Sequence, residues 1–233
     1  VRIYTGIPPR WIQYMYENYG IYTILNHAMG RYGHNIAGVW RVPTDYSDQR
    51  PREVLIEECE ELARVYQNTP GLMMFLLGNE NNYGLYWAGS EIEDLPEEQQ
   101  GDARATFLYS LMGEAIDAMH AVDSNHPVAI ANGDLQFIDV IAREAPNLDI
   151  MGSNVYRGPS SGDLFDRVSE VLDIPFVYTE FGSDAYNARE GREDDVAQAE
   201  ILLSLWQEIY EHAYGHGRAG NSIGGMTFQW SDG

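Results

Sequence analysis

The feature that most constrains the fold is an alternation of short apolar runs with longer amphipathic stretches along the whole chain. Runs typical of strands are Val1–Tyr4, Ile21–Asn26, Leu72–Leu77, Pro127–Ala131, Leu148–Ser153, Pro175–Thr179 and Gly225–Trp230. Stretches with helical spacing of apolar residues are Trp11–Tyr19, Pro51–Gln67, Asp102–Val122, Phe137–Glu144, Leu164–Leu172 and Asp194–Tyr214. Strands that alternate with helices predict right-handed βαβ units and a parallel sheet.

The spacing of the strands favours one architecture. Seven strands in 233 residues recur about every 33 residues, close to the roughly 31 residues that a (β/α)8 barrel uses for each unit. No linker or low-complexity stretch interrupts the pattern. We therefore predict an α/β fold, a TIM barrel, over residues 1–233.

Charge and composition exclude several classes of function. The chain carries 36 acidic and 14 basic residues, a formal net charge of −22, and every basic residue is Arg. Without Lys there is no Schiff-base or P-loop lysine, and without a basic cluster nucleic acid is not an expected partner. The single cysteine, Cys59, excludes an internal disulfide and a CxxC motif. No apolar run reaches the roughly 18 residues of a membrane span.

The acidity itself favours a saline environment. A large net charge keeps a protein soluble, but its like charges repel one another and destabilise the compact state. Dissolved salt screens this repulsion. The alternative is an ordinary acidic enzyme.

Two glutamates follow apolar runs at matching positions. Asn79 and Glu80 come after Leu72–Leu77, and Glu180 comes after Pro175–Thr179, exactly 100 residues beyond Glu80. About three βα units separate them, so both carboxylates are expected at the C-terminal mouth of one barrel, where barrel enzymes place their active sites. Two carboxylates beside a cleft are what glycoside hydrolysis requires, because one protonates the leaving oxygen and the other attacks the sugar or activates water.

These motifs resemble those of clan A glycoside hydrolases, most of all family 2, which contains β-galactosidases, β-mannosidases and β-glucuronidases. The segment 78–81 is similar to the acid/base motif after that family's fourth strand, and 179–185 resembles the nucleophile motif after the seventh. The segment 153–158 is similar to the region after the sixth strand, 1–4 resembles the second strand, and 229–230 matches the end of the eighth.

The resemblance implies a role for each matching residue. Glu80 is expected to be the acid/base and Glu180 the nucleophile of a retaining β-glycosidase that needs no cofactor and no metal. The expected substrate-binding residues, some matched to the family and some read from their positions at strand ends and in loops, are Arg2, Asn26, His27, Asn79, Tyr83, Asn154, Tyr156 and Trp230. Among them, Arg2 and Tyr156 are expected to contact Glu180, and Trp230 to stack on a sugar ring. Tyr86 and Trp87 are further aromatic candidates beside Tyr83.

The resemblance also predicts what surrounds the chain. Residues 1–233 correspond to strands two to eight, so the first barrel strand and the last helix are expected to be lacking from this segment of a longer protein with β-sandwich domains. The expected partner is a carbohydrate, and a polysaccharide substrate would favour a secreted or cell-surface location. Two alternatives remain open: a transglycosidase that uses the same two glutamates, and a noncatalytic glycan-binding or scaffold barrel.

Overall fold

Parallel strands alternate with helices in the part of the chain that this computed structural model describes, residues 1–85, 92 and 94–229. Within it the chain forms two compact units, Val1–Ile150 and Met151–Gly233. The predicted α/β class with parallel strands is confirmed. The count of eight barrel strands, with the first of them lacking, stays a prediction. None of the described helices is long and apolar enough to cross a membrane.

The first unit is a four-stranded parallel sheet with helical crossovers. Its elements are β1 (Arg2–Tyr4), α1 (Pro9–Tyr19), β2 (Thr23–His27), β3 (His34–Ile36), β4 (Val39–Arg41), α2 (Gln49–Tyr66), β5 (Leu72–Leu77), a 3-10 helix (Asn81–Gly84), α3 (Glu97–Val122), β6 (Val128–Gly133) and α4 (Ile138–Glu144). The pairing order is β1–β2–β5–β6. Strands β3 and β4 form a separate antiparallel hairpin.

The second unit repeats this arrangement with three parallel strands. Its elements are β7 (Ile150–Val155), whose first residue closes the first unit, α5 (Leu164–Val171), β8 (Phe176–Phe181), β9 (Tyr186–Asn187), β10 (Arg192–Glu193), α6 (Asp195–Glu211) and β11 (Ser222–Thr227). The pairing order is β7–β8–β11, and β9 pairs with β10 as a short antiparallel ribbon.

Local chemistry sets the helix boundaries. The side chain of Asp48 accepts a hydrogen bond from the backbone N–H of Arg50 and so caps α2, while Asp194 does the same for α6 through Ala197. Such caps satisfy backbone donors that have no partner inside the helix. Helix α1 ends at Tyr19, and the capping residue that follows, Gly20, has a φ of 66°, a conformation that glycine adopts without strain.

The core lies between the sheets and their helices. Strand β6 is buried along its whole length, and most of β5 and β8 is buried as well, as expected for parallel strands covered on both faces. Arg52 of α2 donates to the backbone oxygen of Phe107 at 2.8 Å and forms an ion pair with Glu114 at 2.6 Å, both on α3. These contacts fix α2 against α3.

Candidate active site

The turn after β5 holds the first candidate carboxylate. Glu80 adopts a left-handed backbone conformation, with φ 56° and ψ 35°, which costs a residue other than glycine about 1 kcal/mol or more. Its backbone N–H donates to the oxygen of Ala131 at 2.9 Å. The strained residue is therefore anchored to β6, with its side chain half-buried at the strand end.

Asparagines on either side of Glu80 fix this turn. Asn81 accepts a hydrogen bond from the N–H of Asn79 at 2.7 Å and donates to the oxygen of Met29 at 2.9 Å and the hydroxyl of Tyr46 at 2.8 Å. Burial raises the pKa of Tyr46 to about 12, so this hydroxyl stays neutral. Because the Asn81 amide is buried and fully used, its role is to shape the turn.

Asn82 ties the same turn to β6. Its side chain donates to the oxygen of Gly133 at 2.9 Å and accepts from the N–H of Gly133 at 2.8 Å. A Cβ atom on Gly133 would lie 2.4 Å from the ring of Tyr83, so Tyr83 packs directly over this glycine. Tyr83 is nevertheless partly exposed, and its expected contact with a glycan stays a prediction.

Arg2, Asn26 and Asn79 form one hydrogen-bonded cluster. Arg2 donates from Nε to Oδ1 of Asn26 and from Nη2 to Oδ1 of Asn79, each at 2.8 Å. The amide of Asn26 donates in turn to the backbone oxygens of Leu76 and Gly78. Three residues predicted from sequence to belong to one site are therefore in contact within the first unit. The expected contact between Arg2 and Glu180 stays a prediction.

His27 lies on the other face of β2 from Asn26. Its Nε2 is 3.2 Å from Glu58 and its Nδ1 is 3.6 Å from the sulfur of Cys59, both on α2. Successive side chains of a strand point to opposite faces, so the two residues cannot both line the cluster of Arg2 and Asn79. The expectation that His27 binds sugar hydroxyls stays a prediction, and the proposed site is argued from the residues on the face of Asn26.

The surroundings of His27 favour its charged form. Burial disfavours the charge, but Cys59 and Glu58 outweigh it and raise the pKa of His27 to about 10. The imidazole joins β2 to α2 and lines a cavity of about 950 Å³ on the side of α2.

The second unit places Glu180 near the end of β8 with two predicted neighbours. The hydroxyl of Tyr156 donates to Oε2 of Glu180 at 3.2 Å, which is the contact expected from sequence. Asn154 lies opposite Glu180 in the register of β7 and β8. It accepts a hydrogen bond from the hydroxyl of Thr179 at 2.7 Å. The buried pair of Asn154 and Thr179 supports the strand ends beside the carboxylate.

Three aromatic candidates, Tyr86, Trp87 and Trp230, lie outside the described residues. Their expected contacts with sugar stay predictions. Among the residues that the structure does describe, no group of three His, Cys, Asp or Glu side chains could hold a metal ion.

Sequence reasoning missed two residues of the loop after β2. The hydroxyl of Tyr32 accepts a hydrogen bond from Nδ2 of Asn79 at 2.9 Å, and Nε of Arg31 donates to the backbone oxygen of Asn79 at 3.2 Å. The only sequence signal was a run of Arg and Tyr between glycines, typical of any loop. The partnership depends on the pairing of β2 with β5, which brings residues 47 positions apart into contact.

The fold of this chain is similar to that of several solved glycoside hydrolase structures. The β-D-glucuronidase of Dictyoglomus thermophilum is 15% identical with a TM-score of 0.58, over 99% of this chain and 38% of that one. The family 2 β-galacturonidase of Eisenbergiella tayi is 16% identical with a TM-score of 0.58, over 98% of this chain and 37% of that one. The family 1 β-glucosidase of Thermotoga maritima is 11% identical with a TM-score of 0.64, over 94% of this chain and 66% of that one.

No family model matches the sequence, and a search of curated proteins gave no match. The structural likenesses extend over nearly the whole chain, which spans less than two fifths of the two uronidases. At identities of 11–16% they establish the fold. The resemblance to clan A glycoside hydrolase barrels, expected from the motifs, is confirmed at that level.

Proposed function

We propose that this chain, which has the fold of clan A glycoside hydrolases, is a retaining β-glycosidase with Glu80 as acid/base and Glu180 as nucleophile. The observation that carries the proposal is that each glutamate lies at the C-terminal end of a parallel strand and has polar neighbours suited to its role. Active sites of barrel enzymes are built at these ends. Residues 1–233 would form the catalytic barrel region.

The contacts of each carboxylate support its proposed role. A nucleophile must be held still and ionised, and the hydroxyl of Tyr156 donates to Glu180 at 3.2 Å, a hydrogen bond that favours the carboxylate. An acid/base must reach the leaving oxygen, and the turn that carries Glu80 is fixed by Asn81 and Asn82.

Asn79 is the residue proposed to recognise the reacting sugar. Its amide is oriented by Arg2 on the oxygen side and by Tyr32 on the nitrogen side. A hydrogen bond from this amide to the sugar hydroxyl next to the anomeric carbon would strengthen in the transition state. The solved structures named above are those of a β-glucuronidase, a β-galacturonidase and a β-glucosidase, which supports a β-linked glycoside as the substrate class.

The reaction would proceed in two displacements. Glu180 attacks the anomeric carbon while Glu80 donates its proton to the leaving oxygen, giving a glycosyl-enzyme ester and a free alcohol. Glu80, now a base, takes a proton from water as the oxygen of that water displaces Glu180. Two inversions retain the β configuration.

The test compares wild type with Glu180→Ala and Glu80→Ala on nitrophenyl β-glucuronide, β-galactoside, β-glucoside and β-mannoside, at low and high salt. Glu180→Ala should abolish turnover. Glu80→Ala should lose about 10²–10⁴-fold on substrates with poor leaving groups, the usual contribution of a general acid. On good leaving groups it should be rescued by azide and yield a β-glycosyl azide.

Glu193→Ala, in an exposed position of β10, is the matched control and should keep wild-type turnover. Turnover that survives Glu180→Ala, or an α-glycosyl azide from Glu80→Ala, would exclude the retaining assignment. Inactivity of the wild type on all four substrates and on β-glucan polymers would favour a glycan-binding barrel.

A further inference from the structure

The loop and hairpin that follow β2 lie next to the proposed reacting-sugar site. Tyr32 reaches Asn79 with its hydroxyl, 2.9 Å from Nδ2, while its side chain is 56% exposed. Within the part of the chain that the structure describes, this hydroxyl accepts one hydrogen bond and donates none, so its proton is available to a ligand.

Trp40 of β4 lies close to Gly33, the residue that follows Tyr32. Its pairing partner in β3 is Asn35, and a Cβ atom on Gly33 would lie 2.7 Å from Nε1 of the indole. The indole nitrogen therefore lies close to the chain at Gly33, next to Tyr32. Trp40 is 60% exposed, and its N–H has no hydrogen-bond acceptor among the described residues.

Hydrogen bonds join the segment after the hairpin to the loop after β2 and to β3. The hydroxyl of Thr44 donates to the oxygen of Gly30 at 2.6 Å and lies 3.0 Å from Nδ1 of His34. The hydroxyl of Tyr46 donates to the oxygen of Met29 at 2.9 Å. Two exposed aromatic side chains on a fixed support form a preorganised surface, so a ligand that binds it does not have to order the loop first.

The hydrogen bonds around the turn after β5 give this surface a direction relative to the bond being cut. Asn79, the group proposed to bind the reacting sugar, is bonded to Arg2 and Tyr32, on the side of β1 and β2. Because the reacting sugar stays on the enzyme when the bond is cut, Tyr32, which is bonded to Asn79, lies beside the sugar that is retained.

We propose that Tyr32 and Trp40 form a subsite for a second sugar, the one linked to the non-reducing side of the reacting sugar. The substrate would then be a β-linked oligosaccharide or polysaccharide chain, cut at least two sugars from its end. A pyranose suits this surface because its axial hydrogens form an apolar face that packs on an indole, while its hydroxyls reach the Trp40 N–H and the Tyr32 O–H. This inference rests on the proposed function.

The test compares glycosides with the same aryl leaving group and one or two sugars. The probes are nitrophenyl β-cellobioside, β-laminaribioside and β-mannobioside with their monosaccharide counterparts. Wild type should have a higher kcat/KM for a disaccharide probe by about tenfold or more, a factor that corresponds to about 1.4 kcal/mol. Trp40→Ala should lower this disaccharide-to-monosaccharide ratio by about tenfold.

Trp11→Ala is the matched control, because Trp11 is an exposed tryptophan of the same unit, on α1, and should keep the wild-type ratio. Tyr32→Phe separates two roles of Tyr32: it keeps the ring but removes the acceptor for Asn79, so kcat should fall on both probes. Equal kcat/KM of wild type for one and two sugars, or a ratio unchanged in Trp40→Ala, would overturn the subsite.

A binding measurement keeps this inference separate from the proposed function. If wild type hydrolyses no probe, the proposed function fails, and titration with cellobiose, laminaribiose and mannobiose followed by tryptophan fluorescence tests the subsite alone. Binding that Trp40→Ala abolishes and Trp11→Ala keeps would uphold the subsite. No binding by wild type would overturn it as well.

Discussion

The turn after β5 shows how individual side chains, rather than the core, fix the position of Glu80, the proposed acid/base. Asn79, Asn81 and Asn82 each make hydrogen bonds to a different part of the first unit. An amide suits this work because it offers both donors and an acceptor and carries no charge that burial would penalise. Sequence could show that polar residues follow an apolar strand here, but not which partners they reach.

The charge on His27 links stability to pH. Its pKa is raised to about 10 in the folded protein, against about 6.5 in an unfolded chain. A raised pKa means that the folded state holds the proton more tightly. The stabilisation is therefore complete below about pH 6.5 and is lost as the pH rises through about 10. We expect the free energy of unfolding to decrease over that window.

Glu58→Gln should weaken this dependence, since it removes the carboxylate 3.2 Å from the imidazole. At pH 6–7 the variant should be less stable, but by only a part of the stabilisation, because Cys59 raises the pKa of His27 more than Glu58 does. The difference should shrink as the pH approaches 10, as measured by urea unfolding. Glu60→Gln, which alters an exposed ion pair with Arg64, is the control. A constant difference at every pH would contradict the assignment.

At the scale of elements, hydrophobic periodicity predicted the parallel strands and the helices well. The strand predicted as Leu72–Leu77 has those bounds, because six apolar residues in a row mark a strand covered on both faces. The hairpin of β3 and β4 was missed because strands of three residues have too few side chains to show alternation.

The last strand was displaced for a different reason. It was predicted over Gly225–Trp230 but runs from Ser222 to Thr227, since its start contains glycine and serine and lacks an apolar signal. The predicted range also extended too far towards the C-terminus, because the aromatic Trp230 was taken as the end of the strand. Contacts such as Tyr32 with Asn79 were beyond prediction because they follow from strand pairing and not from local sequence.

Close packing of β8 against the segment after β11 gives a prediction at Gly182. A Cβ atom there would lie 2.5 Å from the backbone oxygen of Phe228, and backbone cannot move aside as a flexible side chain does. Gly182→Ala should lower the free energy of unfolding by about 1–3 kcal/mol, the usual cost of overpacking. Because Glu180 is two residues away, kcat should fall as well.

Gly101→Ala is the control, because the added Cβ in α3 meets only the ring of Phe137 at 4.0 Å. Alanine favours a helix over glycine by about 0.8–1 kcal/mol, so this variant should be as stable as wild type or more stable. Chemical denaturation and nitrophenyl glycoside turnover measure both effects. If Gly182→Ala were as stable as wild type, the segments around Gly182 and Phe228 could move apart at little cost in free energy.

For the whole molecule, the net charge of −22 predicts that salt stabilises the folded state. Folding brings like charges together, and dissolved ions screen their repulsion. The free energy of unfolding should rise with sodium chloride, most steeply below about 0.1 M, where the screening length exceeds about 10 Å. A melting temperature that stays constant from low to molar salt would remove the saline interpretation.

Two single substitutions separate repulsion from ion pairing. Glu57 is exposed and forms no ion pair within the described residues, so Glu57→Gln should raise stability at low salt and flatten its salt dependence. Glu114 pairs with Arg52 at 2.6 Å, so Glu114→Gln should lower stability at low salt. If both variants changed stability in the same direction at low salt, the explanation by charge repulsion and ion pairing would be wrong.

The left-handed backbone of Glu80 has a consequence for how this position responds to selection. Glycine, and to a lesser degree asparagine, adopt that conformation at lower cost. A library screened for heat resistance alone would therefore enrich glycine or asparagine here, and one screened for turnover would restore glutamate. Selection for heat resistance and selection for the proposed acid/base role therefore favour different residues at position 80.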